Sequence, residues 1–247
     1  MWRWIKPFQA EGAVQMALDT LLLERSGKDN LPIMRVYSWQ PWCISLGYNQ
    51  PAEQIDENVC RREQVDIARR PTGGRAVFHS QEITYCVIIP RESRFYQESL
   101  PRLYSLISEG LARGLRLLSI PATLQKRSLN MRTHYRGDES VNCFSAAARS
   151  EILVQGKKMV GSAQRHLSWG MLQHGSILKG TAHRNLAFFT GTGDRKKQER
   201  LRKITEKKTT EIDSVSSSPL SDAEVTAGLK KGMAEVWKIG FEDVCRS

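Results

Sequence analysis

A mixed α/β (α+β) fold, with largely antiparallel sheets flanked by helices, is what this sequence predicts. Three observations carry that expectation. Short runs rich in β-branched and aromatic residues recur between positions 33 and 89 and again between 150 and 179. Amphipathic helical stretches stand before, between and after them. The pair Gln155-Gly156 supplies the turn that would fold two of the later runs into a hairpin.

Residues 11–25 predict the first helix, with Val14, Ala17, Leu18, Leu21 and Leu22 sharing one face at i, i+3, i+4, i+7 spacing and therefore expected to face the core. IMRVYSW (33–39) and WCISLGY (42–48) follow as strands separated by Gln40-Pro41. VDIARR (65–70), RAVFH (75–79) and ITYCVII (83–89) are the next strand candidates. A second helix is expected over 99–118, where Leu100, Leu103, Tyr104, Ile107, Leu111 and Leu115 recur on one side. Residues 124–141 show no period and predict a long loop, a type of segment often tied to function. SEILVQ (150–155), KMVGSAQRH (158–166) and MLQHGSILK (171–179) are three further strands. After a polar connector at 214–220, Ser221 and Glu224 have capping-box spacing and open a last helix to about 238. The expected organisation is one main domain over 1–220 with 221–247 as its short helical C-terminal extension.

Composition narrows the function. No apolar run approaches the ~20 residues a membrane helix needs, and the N-terminal MWRWIKPFQAEG has no signal-peptide pattern. The five cysteines, Cys43, Cys60, Cys86, Cys143 and Cys245, are widely spaced without a CxxC pair. That disfavours zinc and a disulfide framework and fits a reducing cytoplasm. Lys plus Arg number 37 against 26 Asp plus Glu, a formal charge of +11 that suits acidic partners. The densest basic run, 194–208, is broken by Asp194, Glu199 and Glu206 and is expected to be a solvated helix face rather than a nucleic-acid module.

Three blocks concentrate the chemistry. RRPTGGRAVFH (69–79), followed by QEITY (81–85), places Gly73 and Gly74 among Arg69, Arg70, Arg75 and His79. Paired glycines let backbone N–H groups approach a ligand, and arginines suit a phosphate, carboxylate or thioester-bearing one; a hairpin turn with solvated arginines is the plainer alternative. Cys143, in SVNCFSAA, is a nucleophile if a nearby cation stabilises its thiolate, and otherwise a small buried hydrophobe. In GKKMVGSAQ (156–164) the two lysines fall on opposite faces of a strand. Lys158 shares the more sheltered face with Val160 and Ser162; a surface lysine at a hairpin is the plainer reading.

Taken together and in this order, these blocks, with LQHGSIL, QMALD (15–19) and VYSWQPWCISLGYNQ, resemble the lipoate–biotin protein ligase superfamily over roughly residues 1–240. The pattern is similar to that of its octanoyltransferase branch, which implies a biotin/lipoate protein ligase-like catalytic domain. By that resemblance Cys143 matches the acyl-thioester nucleophile. Lys158 matches the lysine that lowers the thiol pKa and contacts the acyl carbonyl. Arg70, Gly73, Gly74, Arg75, Ala76 and His79 match one wall of the acyl pocket. Gly161, Ser162, Ala163 and Gln164, with His174 and Gly175, match the facing strands. One departure stands out: the family's CFxxPxxYE is CFSAAARSE here.

The resemblance implies octanoyl transfer from octanoyl-acyl carrier protein to a lysine of a lipoyl domain or glycine-cleavage H protein, without cofactor or metal. Both kinds of partner protein are usually acidic. An ATP-dependent lipoate ligase, an amidotransferase between lipoyl-accepting proteins, and a non-enzymatic basic adaptor remain the alternatives.

Overall fold

The computed structural model describes residues 1–28, 30–96, 99–125, 151–191 and 193–244. The elements run β1 (Trp2–Ile5), β2 (Gln9–Ala10), α1 (Gly12–Arg25), β3 (Ile33–Trp39), β4 (Cys43–Leu46), α2 (Glu57–Arg62), β5 (Asp66–Arg69), β6 (Val77–His79), β7 (Glu82–Pro90) and α3 (Leu100–Leu117). They continue as β8 (Ala122–Leu124), β9 (Ile152–Val154), β10 (Lys157–Leu167), β11 (Gly170–Leu178), α4 (Arg195–Lys208), α5 (Ile212–Val215), α6 (Asp222–Trp237) and β12 (Phe241–Val244). A 3₁₀ helix spans Ala182–Phe189. None of the helices among the described residues is long and apolar enough to cross a membrane.

Among the described residues the strands form two sheets. A nine-stranded one has the order β12-β1-β3-β7-β11-β10-β9-β8, with β2 beside β3; a three-stranded one has the order β5-β4-β6. Pairing is antiparallel from β3 through β8 and parallel where β1 meets β3 and β12. Gln155 and Gly156 both take positive φ, 51° and 75°. That is the backbone of a type I′ hairpin turn and matches the right-handed twist of β9 and β10.

The large sheet is covered on both sides, and alternation along its strands explains how. On β7, Ile83, Tyr85, Val87 and Ile89 point into the core beneath α3 and α6, while Cys86 and Ile88 point to the side of α1. Leu103, Ile107, Leu111 and Leu115 of α3 are fully buried in the first of these cores, each worth about 1.5–3 kcal/mol of apolar burial. Leu100, expected on the same face, is exposed. Helices α3 and α6 touch backbone to backbone: a Cβ on Gly232 would strike Gly114, and one on Gly114 would strike Gly228 and Leu229. The capping box at Ser221 and Glu224 forms as the sequence predicts.

The first helix corrects the expectation. Val14 and Leu21 are 49% and 40% exposed, Ala17 is exposed and Leu18 and Leu22 are half-buried. The buried side is instead Gly12, Gln15, Met16, Asp19 and Leu23. The cause lies on β3, which carries a fully buried Arg35. An unpaired guanidinium in that core would be costly. Gln15 accepts a hydrogen bond from Arg35, and Asp19 stands 3.6 Å from its Nη1, so the polar side of α1 turns inward.

Candidate functional site

The large sheet, the small sheet and α1 meet around a narrow cavity of about 30 Å³. Met16 enters from α1, Tyr37 and Trp39 from β3, and Thr84 from β7. Ser45, Val77 and His79 come from the small sheet with Arg70 beside them. The opposite wall is Gly161, Ser162 and Ala163 of β10 with His174, Gly175 and Ser176 of β11. Close approach of these two strands requires the glycine: a Cβ on Gly175 would collide with Gly161.

Two histidines line the cavity in matching arrangements. His79 has its Nδ1 2.8 Å from Glu82 Oε1 and its Nε2 2.7 Å from Ser45 Oγ. His174 has its Nδ1 2.9 Å from Asp19 Oδ2 and its Nε2 2.7 Å from Thr72 Oγ1. A carboxylate on Nδ1 assigns the proton there, so Nε2 accepts from the hydroxyl. Trp39 stacks on His79 at 4.1 Å and donates its indole N–H to Thr84, 2.8 Å away. Tyr37 donates to Asp19 at 2.9 Å. Since these groups satisfy one another, the cavity shows its occupant mainly carbon.

Thr72 belongs to the Gly-Gly loop, so His174 pins that loop to the large sheet. Arg70, itself buried, pins it from the other side: its guanidinium donates to the carbonyls of Ser45 (2.9 Å), Gly73 (3.0 Å) and Arg75 (2.6 Å). Gly74 takes φ +97° and presses its carbonyl against Gly47, where a Cβ would not fit.

Electrostatics follows from burial. Burial pushes the Asp19 carboxyl up, but Arg35, His174 and Tyr37 outweigh it and hold it below its ordinary 3.8. The Glu82 carboxyl is likewise pushed up by burial, yet ends below its ordinary 4.5 through His79, Ser176 and Thr84. Desolvation lowers His174 from its ordinary 6.5, opposed by Asp19; His183 is lowered by the same cause. These two histidines therefore stay neutral in the folded protein at a pH where the unfolded chain already binds protons. Stability from them is complete above about pH 6.5 and is lost as pH falls through the lower folded values. The thermal midpoint is expected to drop between about pH 7.5 and 5.5, and His174→Gln should flatten that slope. A wild-type midpoint constant over that range would contradict the assignment.

Of the sequence-predicted site residues, Arg70, His79, Gly161, Ser162, Ala163, His174 and Gly175 line the cavity. Gly73, Gly74, Arg75 and Ala76 do not; the first three lie in the loop beside it and Ala76 is buried in the core of the small sheet. Gln164 also stands off, bonded to Gln173. Lys158 is buried with its Nζ 2.5 Å from Glu151 Oε1, about 10 Å along β10 from Gly161. It does not simply share a face with Val160 and Ser162, because a register irregularity between Lys158 and Val160 breaks the alternation, and Met159 and Val160 both enter the core. Lys157 is exposed. Cys143 lies outside the described residues, as do Cys245 and the stretch from 126 to 150; Glu151 ends the CFSAAARSE stretch that carries Cys143. The sequence reading missed Asp19, Tyr37, Trp39, Ser45, Thr72, Glu82 and Ser176. All seven lie inside the quoted motifs: Asp19 in QMALD, Tyr37, Trp39 and Ser45 in VYSWQPWCISLGYNQ, Thr72 and Glu82 in the Gly-Gly block and its sequel, and Ser176 in LQHGSIL. The polar Gln15–Asp19 pair one turn apart was the visible hint that α1 faces the site.

Comparison with known proteins agrees with this architecture. Residues 11–234 match the model of the lipoyl protein ligase A/B catalytic domain. The octanoyltransferase LipM of Clostridioides difficile (strain 630) is 36% identical over 242 residues, covering 97% of this chain and 88% of that protein. That of Kyrpidia tusciae is 33% identical over 236 residues, covering 95% and 86%. A putative lipoate protein ligase from T. acidophilum with bound lipoic acid superposes with a TM-score of 0.78 at 20% identity, covering 100% of this chain and 90% of that one. With the family model matched over most of its length, and relatives above 30% identity along nearly all of it, the chain belongs to the lipoyl protein ligase A/B catalytic-domain family, among the octanoyltransferases of the LipM type.

Proposed function

We propose that this chain is an acyltransferase of lipoate biosynthesis. It moves an octanoyl group from octanoyl-acyl carrier protein to a lysine of a lipoyl domain or glycine-cleavage H protein, by way of a thioester on Cys143. The observation that carries the reading is the similarity, over nearly the whole chain, to curated octanoyltransferases. The site supports it. Met16, Trp39, Val77 and Ala163 give the cavity apolar walls, while its polar groups are occupied with one another, which favours an apolar group there over a polar one.

In the first half-reaction the Cys143 thiolate adds to the thioester carbonyl. The Cys143 S–C bond forms, the carrier S–C bond breaks, and the carrier leaves as a thiol after taking one proton. In the second, the neutral ε-amine of the acceptor lysine adds to the Cys143 thioester. The amide C–N bond forms, Cys143 leaves as thiolate, and the amine proton passes to water. The Lys158 ammonium stabilises the thiolate, and backbone N–H groups near Gly73 to Arg75 or at Lys158 receive the oxyanion. Such a thiol must be kept reduced, in keeping with a cytoplasmic enzyme.

Because the donor thioester is already activated, transfer to a lipoyl domain is expected with neither ATP nor magnesium, read as one octanoyl mass added to the acceptor. Modification by lipoate plus ATP, with the carrier thioester inert, would decide for the ligase reading.

A further inference from the structure

The small sheet has a second face, turned away from the acyl cavity. Along β6, Val77 and His79 point to the cavity and Phe78 to the far side. There Trp42, Phe78 and Phe188 floor a groove of about 670 Å³, bordered by Arg184, Arg195 and Arg202. Trp42 and Phe188 are each 43% exposed. Exposed aromatics gathered in one groove and rimmed by charge are typical of a recognition surface. Helix α4 forms the rim, and eight of its fourteen residues are Lys or Arg against two Glu. Its other flank gathers Arg195, Lys196, Arg200, Lys203 and Lys207 around a second depression.

The C-terminal end of α4 is fixed at Lys158. Thr209 forms a β-bridge with Lys158, and the Thr210 N–H donates to the Lys158 carbonyl at 3.0 Å. Arg195 therefore stands about 21 Å along the helix from that end and Arg202 about 10 Å.

We propose that this basic, aromatic-floored face of α4 is the docking site of the acidic carrier protein that delivers the acyl group. The inference rests on the proposed acyl transfer and names where its donor binds. Opposite charge selects an acidic protein, steering its approach, while the aromatic floor receives an apolar side chain of the partner. Distance selects the donor over the acceptor. An acceptor lysine brings only its own side chain and must sit at the site itself. A carrier protein holds its thioester on a long phosphopantetheine arm and can dock a helix length away. Glu63 and Glu199 also line the groove, so the cationic excess that meets an acidic partner lies along α4 rather than on the groove floor.

The test compares two donors, octanoyl-carrier protein and octanoyl-pantetheine, in the wild type, in the Arg195→Glu/Arg200→Glu/Lys203→Glu variant and in Trp42→Ala. Each variant's thermal midpoint is checked against wild type. The ratio of kcat/KM for the carrier to that for octanoyl-pantetheine should fall about tenfold or more in the charge-reversed protein. The acceptor KM should hold, and the salt dependence of the carrier KM should disappear. Equal loss with both donors, a rise in acceptor KM instead, or an unmoved ratio overturns the proposal. Binding of the unacylated holo-carrier protein, followed by fluorescence anisotropy, judges docking apart from chemistry. Binding by wild type that is lost on charge reversal supports the site even if no transfer is seen, in which case the proposed reaction fails and the docking surface stands. No binding by wild type, or displacement of the carrier by a single-stranded oligonucleotide, sinks it.

Discussion

Cys143→Ala is expected to abolish both the octanoyl-enzyme and the transfer, by about 10⁴-fold or more, as loss of a covalent nucleophile does. The other cysteines make a clean contrast. Cys43 and Cys86 are fully buried, and burial pushes both thiols far up. Cys60 is pushed up to about 11 by burial and then by Asp56 and Glu57. None of these three holds an appreciable thiolate near neutral pH, and the thiolate is the form that attacks. Alanine at 43, 60, 86 or 245 should leave acyl-enzyme formation intact, with about 1 kcal/mol of stability at risk at the buried positions. Intact-protein mass after incubation with octanoyl-carrier protein reads the result. Normal labelling of Cys143→Ala, with labelling lost in one of the other four, would refute the role given to Cys143.

The second large effect is expected at Lys158. Lys158→Ala and Lys158→Arg should each lose about 10²–10³-fold in kcat near neutral pH, the range for removing one positioned charge at an acyl-transfer centre. Arginine keeps the charge, but its planar fork replaces a compact ammonium that must fit beside Glu151 in a closed site. Lys158→Ala also removes the ammonium paired with the buried Glu151 carboxylate, which costs stability, so its thermal midpoint must be measured alongside. The exposed Lys157 should tolerate alanine. Alkylation of Cys143 against pH separates chemistry from folding: its midpoint should move upward in Lys158→Ala, since the thiolate loses a nearby cation. An unmoved midpoint in a folded variant would reduce Lys158 to placing the substrate.

Sequence by itself determined the local elements. IMRVYSW became β3 over Ile33–Trp39, ITYCVII the middle of β7, and the Gln155-Gly156 turn the link between β9 and β10. These follow from propensity and period, which act between near neighbours. The short first strand and the last were not legible, because Trp2–Ile5 and Phe241–Val244 become strands only by pairing with each other and with β3. Sequence also set which site motifs exist: Arg70, His79, Gly161 and His174 stand in recognisable blocks, and all four reach one cavity.

Tertiary structure alone decided which side of α1 is buried. Periodicity shows which residues share a face, and the apolar stripe of Val14, Ala17, Leu18, Leu21 and Leu22 was the apparent core. A buried Arg35 from another strand reversed it, since leaving that charge without Gln15 and Asp19 would cost more than exposing Val14 and Leu21. The same helix then supplies Asp19 to His174, 155 positions away in the chain. Contacts of that separation carry no local pattern. Asp19 and Thr72 beside His174, and Ser45 beside His79, therefore appear only once the two sheets and α1 close around the cavity, whereas Glu82 lies just three positions from His79.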